Sequence, residues 1–540
     1  MKKSVRTMLQ SCLIMVLVFL LAACGTSNSS KNNESASSPS KQDGNTSASN
    51  PDSNATKEKP LEITWMREER AGREVKPDSV AIQEFLKRQN VKVNVQGIPS
   101  SGFNDKKKVL IATDTLPDVL MVAQNDIQEF ADTGVFLNLS NYLQLMPNFL
   151  KVIEEDPEIN KNRINGDLYG FPFAAKVPDD SGLMPMMRVD LIKELGLELP
   201  KTYDEFYEVL KALKKAYPKS YPVTSRGSDN LISATTFGFG SGYNNNSGSY
   251  LYFEPNEGQY KFGPNSNEFK EAIAFLRKLY KEGLLDPDYT TNTSQIWNEK
   301  LSSGKAFFYH DNMGFSESFN KILEEAGGAE ISFDMLDSLI APSGAQRNQL
   351  YPVGHLQFSH VISAKTKEPE RVIAFMDWFY SDEGAWLTNG GIEGEHYTFE
   401  NGAYTLNPDL LAAHMNADSP VNSIRSYLGA GYQAFALYDY RLIEMESDTY
   451  KKWSKKTAEM LENGQGFRFV ADPPFNAEER ERLKQLRTQV DPYLQQNIDK
   501  FIISEGAIEK EWNQFVEELK KKGSDELVQI YNNALANVVS

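Results

Sequence analysis

Cysteine is almost missing from this chain of 540 residues. Only Cys12 and Cys24 are present, and both lie near the amino terminus. The sequence beyond them offers no thiol for a disulfide, a cysteine-based metal site or a cysteine nucleophile. We therefore expect the body of the protein, about 480 residues, to be held by hydrophobic cores alone and to form two or more domains.

A surplus of positive charge is missing as well. The chain has 57 Lys and Arg residues against 74 Asp and Glu residues, and its net charge is −17. Because proteins that bind nucleic acid present a basic face, this composition disfavours a nucleic-acid partner.

The chain also lacks an apolar run long enough to span a membrane. The run from Cys12 to Leu21 follows a positively charged start at Lys2, Lys3 and Arg6. Ten helical residues span about 15 Å, roughly half of a hydrocarbon core of about 30 Å. The run therefore fits the apolar part of a secretory signal peptide at residues 1–23.

Small residues and a cysteine end this segment. Residues 21–25 (LAACG) resemble a bacterial lipobox, in which the thiol of Cys24 would carry diacylglycerol. The resemblance implies a protein anchored in the cell membrane by lipid and facing outside. A plain signal peptide with an incidental cysteine is the alternative, because ordinary cleavage sites also use small residues.

Aromatic side chains are absent from residues 24–60, which are mostly Ser, Asn, Lys, Asp and Thr. Such a segment cannot bury enough apolar surface to offset its ordering entropy, so we expect a disordered tether. A tether at this position favours the lipid-anchored alternative.

Short apolar strands alternate with amphipathic helices from Leu61 onward. Residues 61–66, 91–95 and 116–122 have strand patterns, and residues 80–89 and 106–112 have helical ones. Ile82, Phe85 and Leu86 lie on one face of the first helix. The alternation predicts an α/β fold.

Two further helices have clear start signals. Thr202, followed three residues later by Glu205, predicts a capping box before the apolar positions Phe206, Val209, Leu210 and Leu213. Pro369 predicts the first turn of another helix, with its apolar face at Val372, Ile373, Phe375, Met376 and Phe379.

Several short segments resemble family 1 extracellular solute-binding proteins, and they occur in the family's order. They are residues 111–119 (IATDTLPDV, with Thr113 in place of the family's Gly), 165–172 (NGDLYGFP), 188–197 (RVDLIKELGL), 200–206 (PKTYDEF), 282–287 (EGLLDP) and 303–306 (SGKA). Residues 390–397 (GGIEGEHY) and the tail at 501–531 resemble the branch of larger oligosaccharide-binding lipoproteins, which includes binders of alginate oligosaccharides.

The resemblance implies a two-lobed periplasmic-binding-protein-like α/β fold, with crossing segments between the lobes and a helical C-terminus. Lobe one would hold residues 61–180 and 356–425, and lobe two residues 181–355 and 426–540. It also implies a monomeric substrate-binding lipoprotein of an ABC transporter, whose partners are an oligosaccharide and the transmembrane subunits of a permease. No cofactor is expected.

A sugar ring offers an apolar face and a rim of hydroxyls, so its site needs aromatic platforms and planar polar groups. Trp65 and Arg67 end the first predicted strand, and ligands meet the carboxyl ends of strands in open α/β sheets. Both are therefore candidates for ligand contact. The alternatives are that Trp65 belongs to the core and that Arg67 is solvated.

Two further groups of candidates lie in the predicted lobe two. The resemblance implies an aromatic platform near Trp297, with packing as the alternative. His310, Asp311 and Asn312 follow an apolar strand, where polar side chains suit either the rim of a cleft or a simple turn.

Residues 390–397 supply the most family-specific candidates, Glu393, His396 and Tyr397. The glycines of this segment allow a close backbone approach or a sharp turn. We expect at least one of the three residues to contact the ligand. The alternative is a structural loop held by a buried Glu393.

Arginines could meet an acidic sugar, although isolated arginines are usually surface groups. The candidates are Arg188, Arg226, Arg347 and Arg425.

No metal site is expected. Some relatives of the alginate-binding type carry a Ca²⁺ loop after the helix that corresponds to residues 204–213. Here residues 214–222 (KKAYPKSYP) contain no carboxylate that could supply oxygen ligands. This departure also weakens any transfer of alginate specificity.

Two other functions stay open from the residues alone. A secreted glycoside hydrolase needs only a suitably spaced pair of carboxyl groups, which 74 acidic residues cannot exclude. A binding protein for peptides or for a chemosensory ligand would use the same fold.

Overall fold

The computed structural model describes residues 59–69, 73–176, 183–243, 250–350, 358–413, 424, 427–429, 431, 435–504 and 508–539. Cys24, Arg425 and most of the predicted tether lie outside these residues. The chain from Lys59 onward forms one compact unit. Within the described part, no helix combines the length and the apolar character needed to cross a membrane.

The first stretch of described chain alternates strands and helices. Its elements are β1 (Leu61–Glu69), α1 (Val80–Gln89), β2 (Val91–Pro99), α2 (Ser100–Ala112), β3 (Val119–Ala123), α3 (Gln124–Phe130), α4 (Pro147–Glu155), β4 (Gly170–Pro172) and β5 (Ala174–Lys176). Three short 3-10 helices accompany them, at Ala131–Thr133, Leu139–Leu145 and Pro157–Asn162.

The second stretch is richer in helix. It contains β6 (Leu183–Arg188), α5 (Val189–Glu194), α6 (Tyr203–Ala216), α7 (Asp229–Gly238), β7 (Tyr252–Glu254), β8 (Gln259–Lys261), a 3-10 helix at Gly263–Asn265, α8 (Asn267–Lys281), α9 (Ser294–Ser302), β9 (Phe308–Asn312), α10 (Phe315–Glu325), β10 (Phe333–Met335) and β11 (Asn348–Leu350).

The third stretch ends in three consecutive helices. It contains β12 (Phe358–Ile362), α11 (Pro369–Trp378), α12 (Asp382–Asn389), β13 (Tyr397–Glu400), β14 (Ala403–Leu406), α13 (Pro408–Ala413), β15 (Leu437–Asp439), a 3-10 helix at Tyr440–Met445, α14 (Asp448–Glu462), β16 (Gly466–Arg468), α15 (Ala477–Ile503), α16 (Ile508–Lys521) and α17 (Ser524–Val539).

Two sheets organise these elements. In the first, the strand order is β2-β1-β3-β12-β4; β1 is parallel to β2 and β3, and β12 runs antiparallel to β3 and β4. In the second, β6 lies between β10 and β9 and is antiparallel to both. The remaining strand pairs are β5 with β15, β11 with β16, and the hairpins β7–β8 and β13–β14.

Each sheet separates two hydrophobic cores, because neighbouring side chains of a strand point to opposite faces. In β1, Trp65 enters one core and Met66 the other. In β6, Met187 and Met186 divide in the same way. We call the residues packed on the first sheet lobe one and those packed on the second sheet lobe two. The predicted two-lobed α/β fold with a helical C-terminus is confirmed.

Among the described residues, consecutive ranges belong to different lobes at three points along the chain. Lys176 ends a range of lobe one and Leu183 begins one of lobe two, and Leu350 and Phe358 mark the return to lobe one. The third follows Met445, which packs in a core of lobe one, and precedes Tyr450, which packs in a core of lobe two. The predicted boundary at 425/426 would separate Phe435–Met445 from the core that these residues join.

The two helix starts predicted from Thr202 and Pro369 are confirmed. Thr202 Oγ1 accepts from the Glu205 amide at 3.1 Å, and Glu205 Oε2 accepts from the Thr202 amide at 3.2 Å. Pro369 is the first residue of α11, whose predicted apolar face is buried. In α1, the prediction that Leu86 lies on the buried face is wrong. Leu86 is 43% exposed, and the buried apolar residues of this helix are Ala81, Ile82 and Phe85.

Candidate functional site

Each sheet has one edge at which a strand begins directly after the chain has changed lobes, β12 in the first sheet and β6 in the second. The carboxyl ends of β1, β2 and β3 share one edge of the first sheet, and β12 begins there, since Phe358 pairs with Ala123. In the second sheet, Leu183 at the start of β6 pairs with Asn312 at the end of β9. Ten residues separate Pro172, at the end of β4 in the first sheet, from Leu183, so these edges lie within about 40 Å of each other. This is where open α/β sheets bind ligands.

Trp65 lies beneath the lobe-one edge and is fully buried. Its ring packs edge-on against His360 at 4.9 Å and Phe435 at 5.2 Å. The indole offers no exposed face for stacking on a sugar, so its placement matches the core alternative.

Arg67 is also fully buried, and the solvated alternative for it is wrong. Both faces of β1 are covered at this point, and the guanidinium lies 4.0 Å from the Phe435 ring and 5.3 Å from the Trp65 ring. Burial lowers the pKa of Arg67 to about 9. Arg67 lies beneath the lobe-one edge, and its contact with a ligand stays a prediction.

Asp311 is the centre of the polar cluster on the lobe-two edge. Its carboxylate is 2% exposed and accepts from Arg226 Nε at 2.7 Å and Nη2 at 2.9 Å, and from Asn230 Nδ2 at 3.1 Å. The Arg226 guanidinium lies 5.5 Å from the Trp297 ring and 5.0 Å from the Phe315 ring. The cluster thus fixes a planar, partly exposed donor between two aromatic rings.

The other candidates near this cluster are less accessible. Trp297 is buried edge-on against Tyr309 at 5.1 Å and Phe319 at 5.7 Å, as the packing alternative requires. Asn312 Oδ1 accepts from the Gly314 amide at 2.8 Å and so forms a turn. Burial lowers the pKa of His310 to about 4, which keeps its imidazole neutral at physiological pH.

The loop before α9 is held by a lysine. Lys300 Nζ donates to both carboxylate oxygens of Asp286, at 2.9 and 2.8 Å, to Asp288 at 3.0 Å and to Asn292 at 2.9 Å. Asp286 also accepts from Thr224 Oγ1 at 2.8 Å. The ammonium therefore orders the loop that leads into the helix carrying Trp297.

Arg188 lies away from the lobe-two edge, at the other end of its strand. It ends β6, whose opposite end is Leu183 at the passage between the lobes. Arg188 Nε and Nη2 donate to the Asp190 carboxylate at 2.7 and 2.6 Å. The structure does not bring this candidate together with Asp311.

The loop at 390–397 is held by His396 rather than by a buried Glu393, which is exposed. His396 is buried, and its Nδ1 accepts from the Ile392 amide at 2.9 Å. Gly391 has a φ of +87°, and a Cβ there would come within 2.7 Å of the imidazole. Tyr397 packs against Trp386 at 5.4 Å. Direct ligand contact by these three residues stays a prediction.

The segment where relatives of the alginate-binding type carry calcium is organised by a lysine instead. Lys214 Nζ donates to the Ser220 carbonyl at 2.5 Å and lies 4.6 Å from the Tyr221 ring. Among the described residues, no group of three or more His, Cys, Asp or Glu side chains is arranged to hold a metal ion.

A groove of about 610 Å³ runs between α3 of lobe one and α15 of lobe two, a volume typical of ligand pockets. Its walls include Asn125 and Gln128 on one side and Arg487, Thr488 and Pro492 on the other. Asn125 follows β3 by two residues, so the groove opens beside the lobe-one edge.

Two ion pairs cross this groove from lobe to lobe. Arg480 pairs with Asp132, and Lys484 Nζ lies 3.1 Å from Glu129 Oε1. Sequence reasoning missed the groove, because α3 and α15 are more than 340 residues apart. The one local signal was a proline inside a long helical pattern.

The comparisons with known proteins agree with this architecture. A model of the bacterial extracellular solute-binding protein family matches residues 75–386. The lipoprotein LipO of Bacillus subtilis (strain 168) is 27% identical over 357 residues, which cover 63% of this chain and 68% of that protein.

Two longer matches are named for the sugars they bind. The fructooligosaccharide ABC transporter substrate-binding protein FusA of Streptococcus pneumoniae is 23% identical over 487 residues (84% of this chain, 86% of FusA). The polygalacturonan/rhamnogalacturonan-binding protein YtcQ of Bacillus subtilis is 24% identical over 480 residues (85% and 88%).

Solved structures show the same fold. The alginate-binding protein AlgQ2 without calcium ion superimposes with a TM-score of 0.73 at 20% identity, covering 89% of this chain and 98% of AlgQ2. FusA with kestose gives a TM-score of 0.69 at 20% identity, covering 88% and 99%. Because the family model covers more than half of the chain and the fold agrees, the chain belongs to the bacterial extracellular solute-binding protein family and is a binding protein rather than an enzyme.

Proposed function

We propose that the protein is the substrate-binding component of an ABC importer and captures an oligosaccharide between its two lobes. The observation that carries the proposal is the polar cluster at the lobe-two edge, next to the point where the chain changes lobes, with its side chains already oriented. Asp311 and Arg226 illustrate this, since their bidentate pairing fixes donors before any ligand arrives. The names of FusA and YtcQ support the same ligand class.

Capture would work by hinge closure. A ligand that touches both lobes makes more contacts in the closed state than in the open state, so it shifts the population towards closure. In our assignment, lobe one holds residues 61–176 and 358–445, and lobe two holds residues 183–350 and 447–539. The closed, loaded form would dock on the transmembrane subunits and release the sugar unaltered.

The protein would act as a monomer outside the cell, held at the membrane by lipid on Cys24. The lipobox resemblance and the name of LipO support this placement. Replacing Cys24 by Ala should move the protein from the membrane fraction to the medium. A variant that stays in the membrane fraction would contradict the lipid anchor.

Ligand screening by thermal unfolding tests the function. A bound oligosaccharide at about a hundred times its Kd stabilises the folded state by about 2.7 kcal/mol, so the melting temperature should rise with ligand concentration. Monosaccharides and short peptides are the matched controls. Mass spectrometry of the recovered ligand should return a glycan of unchanged length.

Two results would contradict the proposal. Stabilisation by peptides and by no oligosaccharide would make the chain a peptide-binding or chemosensory protein of the same family. Recovery of shortened glycans would contradict release of an unaltered sugar.

A further inference from the structure

A proline interrupts the longest helix that borders the groove. α15 runs from Ala477 to Ile503 and contains Pro492 in its interior. Proline has no amide hydrogen, so it cannot donate to the carbonyl four residues earlier, that of Thr488. A helix that breaks a local rule in its interior calls for a compensating role, and such breaks concentrate at functional sites.

Thr488, whose carbonyl lacks this helical donor, lies at the wall of the groove. Thr488 and Pro492 both line it, one turn apart on the same face of α15. Asn125 and Gln128 line the opposite wall, on α3. A backbone acceptor on one side and amide side chains on the other match a hydroxyl-bearing ligand, because hydroxyls both donate and accept.

The charges of the groove argue for a neutral ligand. Its lining has four carboxylates (Glu129, Asp132, Glu481, Asp491) and three basic side chains (Arg480, Lys484, Arg487). Each basic side chain is paired: Arg480 with Asp132, Lys484 with Glu129 at 3.1 Å, and Arg487 with Asp491 at 3.2 Å. A uronate would have to separate one of these pairs or sit beside an uncompensated carboxylate.

We propose that this groove is a subsite for a neutral sugar unit at one end of the ligand, with a hydroxyl of that unit donating to the Thr488 carbonyl. The inference rests on the proposed function and narrows its substrate class to neutral oligosaccharides. Because the basic side chains of the groove are already paired with carboxylates, the hydroxyl groups of the sugar are the groups that the subsite would recognise.

The decisive variant is Pro492→Ala, which restores the helical hydrogen bond to Thr488. Its melting temperature should rise, because an interior proline destabilises a helix. Its affinity for the longest neutral oligosaccharide that binds should fall about five- to tenfold, as expected for one occupied acceptor. Affinity for the shortest oligomer that binds should stay unchanged. Gln495→Ala, an exposed position on the same helix outside the groove, is the control.

Calorimetry on the purified protein would compare neutral series (fructo-, xylo- and manno-oligosaccharides) with oligogalacturonates of matched length. We expect a neutral series to bind and the acidic series to bind at least about tenfold more weakly. Equal or tighter binding of oligogalacturonates, or full affinity of Pro492→Ala for every length, overturns the subsite while leaving the proposed function intact. Binding of no saccharide at all overturns both.

Discussion

The bidentate pair between Arg226 and Asp311 is the residue-scale feature whose removal should be felt most strongly. Arg226→Ala would leave the buried Asp311 carboxylate with Asn230 and a backbone amide as its remaining donors. Loss of one partner of a buried pair costs about 3 kcal/mol in the free energy of unfolding. Urea unfolding would measure this loss.

Arg482→Ala is the matched control, because Arg482 forms an exposed bidentate pair with Glu526. It should leave the unfolding midpoint unchanged, since exposed pairs contribute little. Equal effects of the two substitutions would contradict a buried, organising role for Asp311.

Sequence reasoning at this scale identified residue types better than partners. Asp311 and Trp297 were proposed separately as ligand contacts, and the structure joins them through Arg226, which lies 85 residues from Asp311 along the chain. No local pattern encodes such a partner. For Arg67, the charge of the side chain suggested exposure to solvent. The side chain is buried, because the strand that carries it is covered on both faces.

At the scale of elements, the third passage between the lobes has a titratable contact. Ser447 caps α14, donates to Glu317 Oε1 on α10 and accepts from the Tyr450 amide at 3.0 Å. Burial raises the pKa of Glu317 to about 7, and the hydrogen bond from Ser447 opposes this shift. Glu317 therefore holds the chain at its entry into lobe two.

Stability should respond to pH through this carboxyl group. Its pKa is raised in the folded state, from an ordinary value of 4.5 to about 7. Between these values the unfolded chain loses the proton while the folded chain keeps it, so the contribution of Glu317 to stability falls as pH rises. Glu317→Gln should therefore gain stability relative to the wild type between roughly pH 5 and pH 8.

Unfolding midpoints at both pH values, with Glu324→Gln on the same helix as an exposed control, would measure the difference. A constant gap between wild type and Glu317→Gln across this range would contradict the assignment.

Elements with local start signals were the most predictable part of the fold. The capping box at Thr202 and the proline start of α11 act within one helical turn, so the sequence determines them directly. α2 begins six residues before the predicted start at 106, because no capping side chain marks Ser100 as the beginning.

At the scale of the whole molecule, the ion pairs across the groove join the two lobes. Neutralising their lobe-one carboxylates with Glu129→Gln and Asp132→Asn removes both attractions. The ligand-free protein should then open further, with a larger radius of gyration in small-angle scattering, and salt should have less effect on that radius than in the wild type.

The double variant Glu154→Gln/Glu155→Gln is the control, because these two carboxylates are exposed at the end of α4, in the same lobe as Glu129 and Asp132. An unchanged radius of gyration in the Glu129/Asp132 variant would contradict a role of the pairs in holding the lobes together.

The two-lobed organisation was predictable because the family's motifs occur in order over most of the chain. The lobe exchange after Met445 was not, because Phe435–Met445 belong to lobe one through long-range packing rather than through any motif. The pairing of β15 with β5 joins positions more than 260 residues apart. Interlobe geometry of this kind is fixed only when both cores form.

The lysine that holds the loop before α9 has a wider consequence. Four oxygen ligands around Lys300 resemble the surroundings of a bound cation, but here the positive charge is covalently part of the chain. The cation that holds the loop before α9 is therefore present in every folded copy of the chain. The order of this loop should therefore not depend on the concentration of metal ions in the medium, and a chelator should not weaken it.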